Sequence, residues 1–190
     1  MSTSARRLHH TYEEYLRLEE DSATKHEYLS GEIYAMAGGT PDHAALAATI
    51  IGILRSQLPT GCRAYTSDLR VRIVSTGLST YPDAAVVCGP TERADDDRLA
   101  VVNPVLLVEV TSPSTEDYDR GEKLRQYQQL PSLREVVFVS HQAPLITVHR
   151  REGTTWRVLA GGRGETVTLE SIGGRIVVDE VYRDGLEDPA

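Results

Sequence analysis

Two stretches of this chain are apolar almost throughout: Tyr81-Pro82-Asp83-Ala84-Ala85-Val86-Val87 and Pro104-Val105-Leu106-Leu107-Val108-Glu109-Val110. Their length and Val and Leu content predict buried strands. Similar patterns predict strands over 63–65, 69–74, 84–88, 105–110 and 135–140, and a hairpin over 28–36 that turns at Ser30-Gly31. Three helices fall between them. Thr11-x-x-Glu14 has the form of a capping box and opens a helix to about residue 20. Thr40 can cap a second helix, with Pro41 and Asp42 suited to its first turn. That helix, 41–58, is nearly all Ala, Ile and Leu, so it is expected to pack deep in the core. Pro59 and Gly61 end it. A third helix is expected over 118–130, between the turn at 111–115 and Pro131. The charged stretch 91–98 reads as a surface loop. Residues 144–183 read as a β-meander, with strands at 145–150, 156–159, 166–169 and 175–178. The boundaries suggest a flexible tail over 1–10 and one domain over 11–185.

Composition narrows this only a little. A chain of 190 residues, 40% hydrophobic and 25% charged, suits one soluble domain with a full-sized core. No apolar run is long enough to span a bilayer, and Arg6 and Arg7 are not followed by an apolar stretch, so a cytoplasmic location is the expectation. Cys62 and Cys88 lack zinc-ligand spacing and are expected to be separate, reduced core residues. The net charge of −8 argues against a broad nucleic-acid-coating surface but not against a focused basic groove. Eighteen of the basic residues are arginines, and only Lys25 and Lys123 are lysines. Arginine cannot copy a compact ammonium, so each lysine gains interest.

The candidate chemistry lies in the two apolar runs. An unpaired carboxylate is costly to bury. Asp83 and Glu109 on successive strands can stand side by side, and the natural guest of such a pair is a hard cation. Asp83 alone could simply begin its strand after Pro82; Glu109 has five uncharged residues before it and is harder to explain so. Arg120, Lys123 and Tyr127, spaced i, i+3, i+7, share one face of the third helix. That face is either solvated or turned back across the strand ends, where Lys123 would meet both acids. Two acids, Mg²⁺ and a lysine beside an attacking water form a kit for phosphodiester hydrolysis. His43 reads as a capping or core histidine, and Tyr127 as packing or chemistry. Asp68 is a further acid that could face the cleft. Asp117 and Asp119 read as first-turn acids favoured by the helix dipole. Arg70 and Arg72 could contact phosphates or pair with acids.

Five strings together resemble the Uma2 family of bacterial restriction-endonuclease-like proteins, within the PD-(D/E)xK nuclease superfamily. They are His26-Glu27-Tyr28-Leu29-Ser30-Gly31-Glu32, Thr40-Pro41-Asp42-His43, Thr80-Tyr81-Pro82-Asp83, Val108-Glu109-Val110-Thr111-Ser112-Pro113-Ser114-Thr115, and Asp117-Tyr118-Asp119-Arg120-Gly121-Glu122-Lys123-Leu124-Arg125-Gln126-Tyr127. The resemblance implies an α+β, restriction-endonuclease-like fold: a mixed central sheet flanked by helices, with the C-terminal meander extending it. It implies a Mg²⁺-dependent endonuclease, with Mn²⁺ as a substitute, acting on DNA phosphodiesters. Asp83 and Glu109 match the metal-binding acids, with the carbonyl of Val110 as a third ligand. The superfamily lysine would fall at position 111, which is Thr here; Lys123 is taken to replace it. Glu27 matches an acid that supports the site. Ser30 stands where an Asp is common. DNA is the expected substrate, a homodimer is left open, and no membrane partner is expected. Two rivals remain: a binding or protein-interaction module that keeps the fold with little catalysis, and a glycosidase carboxylate pair, which would need neither metal nor lysine.

Overall fold

The capping signal at Thr11 forms as its residues dictate. In the structure, a computed structural model described over residues 9–36 and 38–186, helix α1 (Tyr12–Asp21) starts with reciprocal bonds. The Glu14 N–H donates to the Thr11 hydroxyl at 3.2 Å, and the Thr11 N–H to the Glu14 carboxylate at 2.7 Å. Residues 1–8 of the expected tail lie outside the described residues. His10 is tied down, its N–H donating to the Gly31 carbonyl at 2.8 Å.

Two six-stranded mixed sheets carry the fold. The first takes the order β2 (Glu32–Ala35), β1 (His26–Leu29), β5 (Leu78–Thr80), β4 (Arg70–Ile73), β8 (Asp97–Val101), β7 (Arg93–Ala94). The β1–β2 hairpin turns where expected, with Ser30 and Gly31 both at positive φ, 49° and 96°. The second takes the order β12 (Thr155–Gly162), β11 (Leu145–Glu152), β10 (Glu135–Val139), β9 (Leu106–Val110), β6 (Ala84–Cys88), β3 (Cys62–Thr66). Strands β9 and β10 run parallel and are buried along their whole length. That is why their sequences read as unbroken apolar runs.

The second sheet has an apolar layer on each face. Helix α2 (Pro41–Gln57) lies over Ala84, Val86, Val108 and Val110. The other face, with Ala85, Leu107 and Phe138, meets the first sheet and a helical segment, α3, over 116–127. This segment consists of a short α turn (Glu116–Tyr118), a π turn (Asp119–Lys123) and a further α turn (Leu124–Tyr127). It starts and stops earlier than the sequence pattern suggests. Among the described residues no helix is long and apolar enough to cross a membrane.

Four expectations are corrected. Helix α2 is not deep in the core: Leu46, Ile50 and Leu54 are buried, whereas Ala44, Ala45, Ala48 and Gly52 are exposed. It covers one sheet face, so only one stripe meets the core. The stretch 91–98 is not simply a loop, since β7 and the start of β8 lie in it, and Asp97 is buried against Tyr12 and Arg70. The meander divides: β11 and β12 extend the second sheet, but β13 (Thr166–Leu169) and β14 (Gly174–Val177) form their own hairpin. Cys62 and Cys88 are not separate thiols. The antiparallel β3–β6 register sets them directly opposite, and they form a disulfide.

Candidate active site

The strand pairing builds the site. In the antiparallel β6–β9 ladder Ala84 faces Val108, so the next residue out, Asp83, comes level with Glu109. Asp83 continues the ladder with its side chain: Oδ2 accepts the Val110 N–H at 2.7 Å. Glu109 is 4% exposed, and its side chain turns toward α3. There the Tyr127 hydroxyl donates to its Oε1. Lys123 reaches the same oxygen, Nζ to Oε1 being 3.0 Å. Glu27, on β1 of the other sheet, lies equally close, its Oε1 3.0 Å from the ammonium. The Thr80 hydroxyl donates to that same Glu27 oxygen, and the Tyr118 hydroxyl reaches the other at 3.5 Å. Asp119, one turn before Lys123, completes the ring at 3.5 Å.

Of the residues singled out from the sequence, Asp83, Glu109, Lys123, Glu27 and Val110 are therefore brought together. Asp68 is not; it is exposed and pairs with Lys25 elsewhere. Arg70 and Arg72 pair with Asp97 and Asp96. Arg120 does not join the ring around Lys123: it pairs with Glu116 at 2.9 Å, and its guanidinium lies 5.1 Å from the centre of the Phe138 ring. The widened turn (Asp119–Lys123) aligns Asp119, Lys123 and Tyr127 inward instead. Asp119 was missed by a first-turn reading, although its i, i+4 spacing to Lys123 was a usable signal. His43 was missed too. Its Nε2 lies 3.3 Å from Asp83 Oδ2, and its ring also bonds the Val110 backbone. The backbone of Gly39 lies flat against that ring: a Cβ added at Gly39 would come within 2.6 Å of Nδ1.

Burial sets the electrostatics. It pushes Glu109 up to about 8, helped by the charges of Asp83 and Asp119 and opposed by Lys123. Burial alone would pull Lys123 down; Glu109, then Tyr127, Glu27 and Asp119, hold it well above the usual lysine value, so it stays charged. The hydrogen bond to Asp83 raises His43 above an ordinary histidine against the effect of burial. Three carboxylates, those of Glu27, Glu109 and Asp119, thus gather around one ammonium, and Asp83 stands level with Glu109 beside them. Among the described residues no three His, Cys, Asp or Glu side chains form a ready metal cage. Asp83 and Glu109 are the oxygen donors that could hold a hard cation such as Mg²⁺, which keeps several of its waters.

An α+β domain with two mixed sheets, flanking helices and this acid–lysine cluster is of the restriction-endonuclease-like class. The chain belongs to the Uma2 family, whose model, described as "Putative restriction endonuclease", matches residues 12–177. Among its relatives is uncharacterized protein slr1290 of Synechocystis sp., 39% identical over 173 residues, covering 90% of each chain. Another, sll1609 of the same organism, is 30% identical over 163 residues, covering 84% of this chain and 91% of that protein. A solved structure with this fold is a "putative nuclease belonging to DUF820" from Anabaena variabilis. It has a TM-score of 0.74 at 16% identity and covers 91% of this chain and 97% of that one.

Proposed function

We propose that this protein is a Mg²⁺-dependent endonuclease of the PD-(D/E)xK type that hydrolyses DNA phosphodiester bonds. The observation that carries the reading is the buried Lys123 ammonium, 3.0 Å from both Glu109 and Glu27, on the strand ends where Asp83 stands level with Glu109. Asp83 and Glu109, with the Val110 carbonyl, would hold the cation, which supplies charge neutralisation at the phosphate and a bound water of lowered pKa.

The chain's own groups do the rest. Tyr127 fixes the Glu109 carboxylate through its hydroxyl. Thr80 does the same for Glu27. Lys123 stays protonated in this ring and can orient a water or offset charge that develops on the phosphate. The Val110 N–H and the His43 ring together set the plane of the Asp83 carboxylate. Such outer partners govern how well ligands are aimed. Cutting both strands of a duplex calls for two such sites, which a homodimer would supply.

The test is a plasmid-cleavage assay with Mg²⁺, with Mn²⁺ and with chelator. Cleavage that requires the cation and is lost in Glu109→Gln supports the reading. No cleavage with either metal, together with retained DNA binding, would favour a binding module that keeps the nuclease fold. Tyr127 and Lys123 already satisfy Glu109 Oε1, which is the observation that favours this second reading.

A further inference from the structure

A second cluster of cations lies near the strand leading to Asp83 but outside the acid–lysine ring. A cleft of about 430 Å³ is lined by Lys25, Arg70, Tyr81, Glu19, Asp68 and Leu99, with the backbone turn at 22–24 on its rim. Arg70 rises from β4 and is 7% exposed. Its Nε and Nη1 are sealed from solvent and have no hydrogen-bond partner. Nη2 is thus the guanidinium nitrogen left to face the cleft. Asp97 balances the charge, 3.2 Å from Nη1, without completing a hydrogen bond. The donors that an incoming acceptor can reach are therefore the two on Nη2.

The second cation converges on the same ring. Lys25 Nζ lies 5.6 Å from the centroid of Tyr81, and the Arg70 guanidinium carbon 5.7 Å from it. The acids in the cleft are already engaged. Glu19 accepts from the Tyr81 hydroxyl with one oxygen and meets the His26 ring and N–H with the other. Asp68 pairs with Lys25 at 2.7 Å, and its side chain is 84% exposed. The Lys25 ammonium and the open Nη2 edge of Arg70, converging on one tyrosine, suit a phosphate. Tyr81 stands two residues before Asp83, so its Cα lies within about 7 Å of that of the candidate metal ligand.

We propose that this cleft binds a backbone phosphate of the nucleic acid and so positions the strand relative to Asp83. The proposal rests on the nuclease reading, and its test separates the two. Binding of a fluorescent DNA duplex is followed by anisotropy in chelator, so that no cleavage intervenes, over a series of salt concentrations. Losing one phosphate contact should lower the steepness of log K against log salt by about 0.9. Lys25→Gln should show that loss and Lys25→Arg should not. Arg17→Gln, on the exposed side of α1 and outside the cleft, should leave the slope unchanged. Asp68→Asn should tighten binding. If the wild type binds DNA and Lys25→Gln has the same affinity and slope, the cleft holds only water and the inference is overturned while the nuclease reading stands. If the wild type does not bind DNA at any salt, the nuclease reading falls. Inorganic phosphate then decides: a rise in wild-type melting temperature absent from Lys25→Gln supports a phosphate cleft fed from a free source, and no rise overturns it.

Discussion

Lys123→Met puts the centre of the site to a direct test. The wild-type ammonium is 4% exposed and faces carboxylates at 3.0, 3.0 and 3.5 Å. Methionine fills a similar volume without charge, leaving Glu27, Glu109 and Asp119 buried against one another. Removing one partner of a buried ionic cluster costs about 3–5 kcal/mol. For a domain of this size each kcal/mol lowers the melting temperature by roughly 2–4 °C, so a drop of roughly 6–20 °C is expected near pH 8. The deficit must depend on pH. In the variant Glu109, freed of the lysine that opposes its shift, lies further above its unfolded value, so the folded variant binds more protons than its unfolded chain. Its stability then falls as pH rises, and the gap to wild type widens. Glu109, already near 8 with the lysine present, leads this effect. Thermal and urea unfolding at acidic and alkaline pH measure it. A variant as stable as wild type at pH 8, with no widening gap, would mean that Lys123 is not the charge that holds these acids. Lys123→Arg keeps the charge and most of the stability but should lose cleavage, because a planar guanidinium cannot take the ammonium's place beside a water.

Divalent cation should raise the melting temperature by binding the folded state. A hundredfold excess over the dissociation constant corresponds to about 2.7 kcal/mol. Asp83→Asn with Glu109→Gln should abolish that rise, and an equal response in the double variant would remove the metal site. The wild-type response should strengthen as pH rises toward about 8, since metal displaces the proton that Glu109 holds. Ile50 is fully buried on the inner face of α2, so Ile50→Asp should cost several kcal/mol, about 4, in urea unfolding; near-native stability would put that helix face at the surface. Reductant should lower the melting temperature by opening the Cys62–Cys88 bridge, with a loop of this separation worth about 3 kcal/mol; an unchanged transition would show that the bridge does not form in solution.

Much of the site was legible because acids inside apolar runs are anomalous. Asp83 and Glu109 stand out on that ground alone, and the spacing of α3 suggested that Lys123 faces inward. Glu27 was legible only by family resemblance, since nothing local shows that β1 of the other sheet passes the ammonium. Asp119 and His43 were hidden by degenerate signals. Both occupy first-turn positions, where acids and capping residues are common for reasons unconnected with chemistry. The composition of helix α2 overstates its burial because Ala and Gly look apolar yet sit easily in solvent; the stripe of Leu46, Ile50 and Leu54 marks the buried face. The β7–β8 hairpin escaped notice because charge masked a strand whose Asp97 is paired only in three dimensions. The disulfide depends on register between strands far apart in sequence, which no local pattern states.

Lys123 reaches the acids from a helix, and the strand beside them carries a different side chain. Two residues past Glu109, where a strand-borne lysine would lie, Thr111 is fully buried, and its hydroxyl is 2.9 Å from His141 Nδ1. Its N–H donates to the Val139 carbonyl at 2.9 Å, prolonging the parallel β9–β10 ladder by one rung. A long cation there would have to displace this packing. Approach from α3 avoids the conflict, since the helix crosses the same sheet face and Tyr127 and Leu124 anchor it in the apolar layer. What remains is a matter of phase: an inward lysine also needs an inward acid and tyrosine. Lys123 shares the face of Tyr127 through ordinary i, i+4 spacing, and the π turn (Asp119–Lys123) brings Asp119 into line with both. Such turns interrupt regular helix hydrogen bonding and are frequent at functional sites. Here the interruption falls on Asp119 and Lys123, the residues whose charges meet Glu27 and Glu109 across the two sheets.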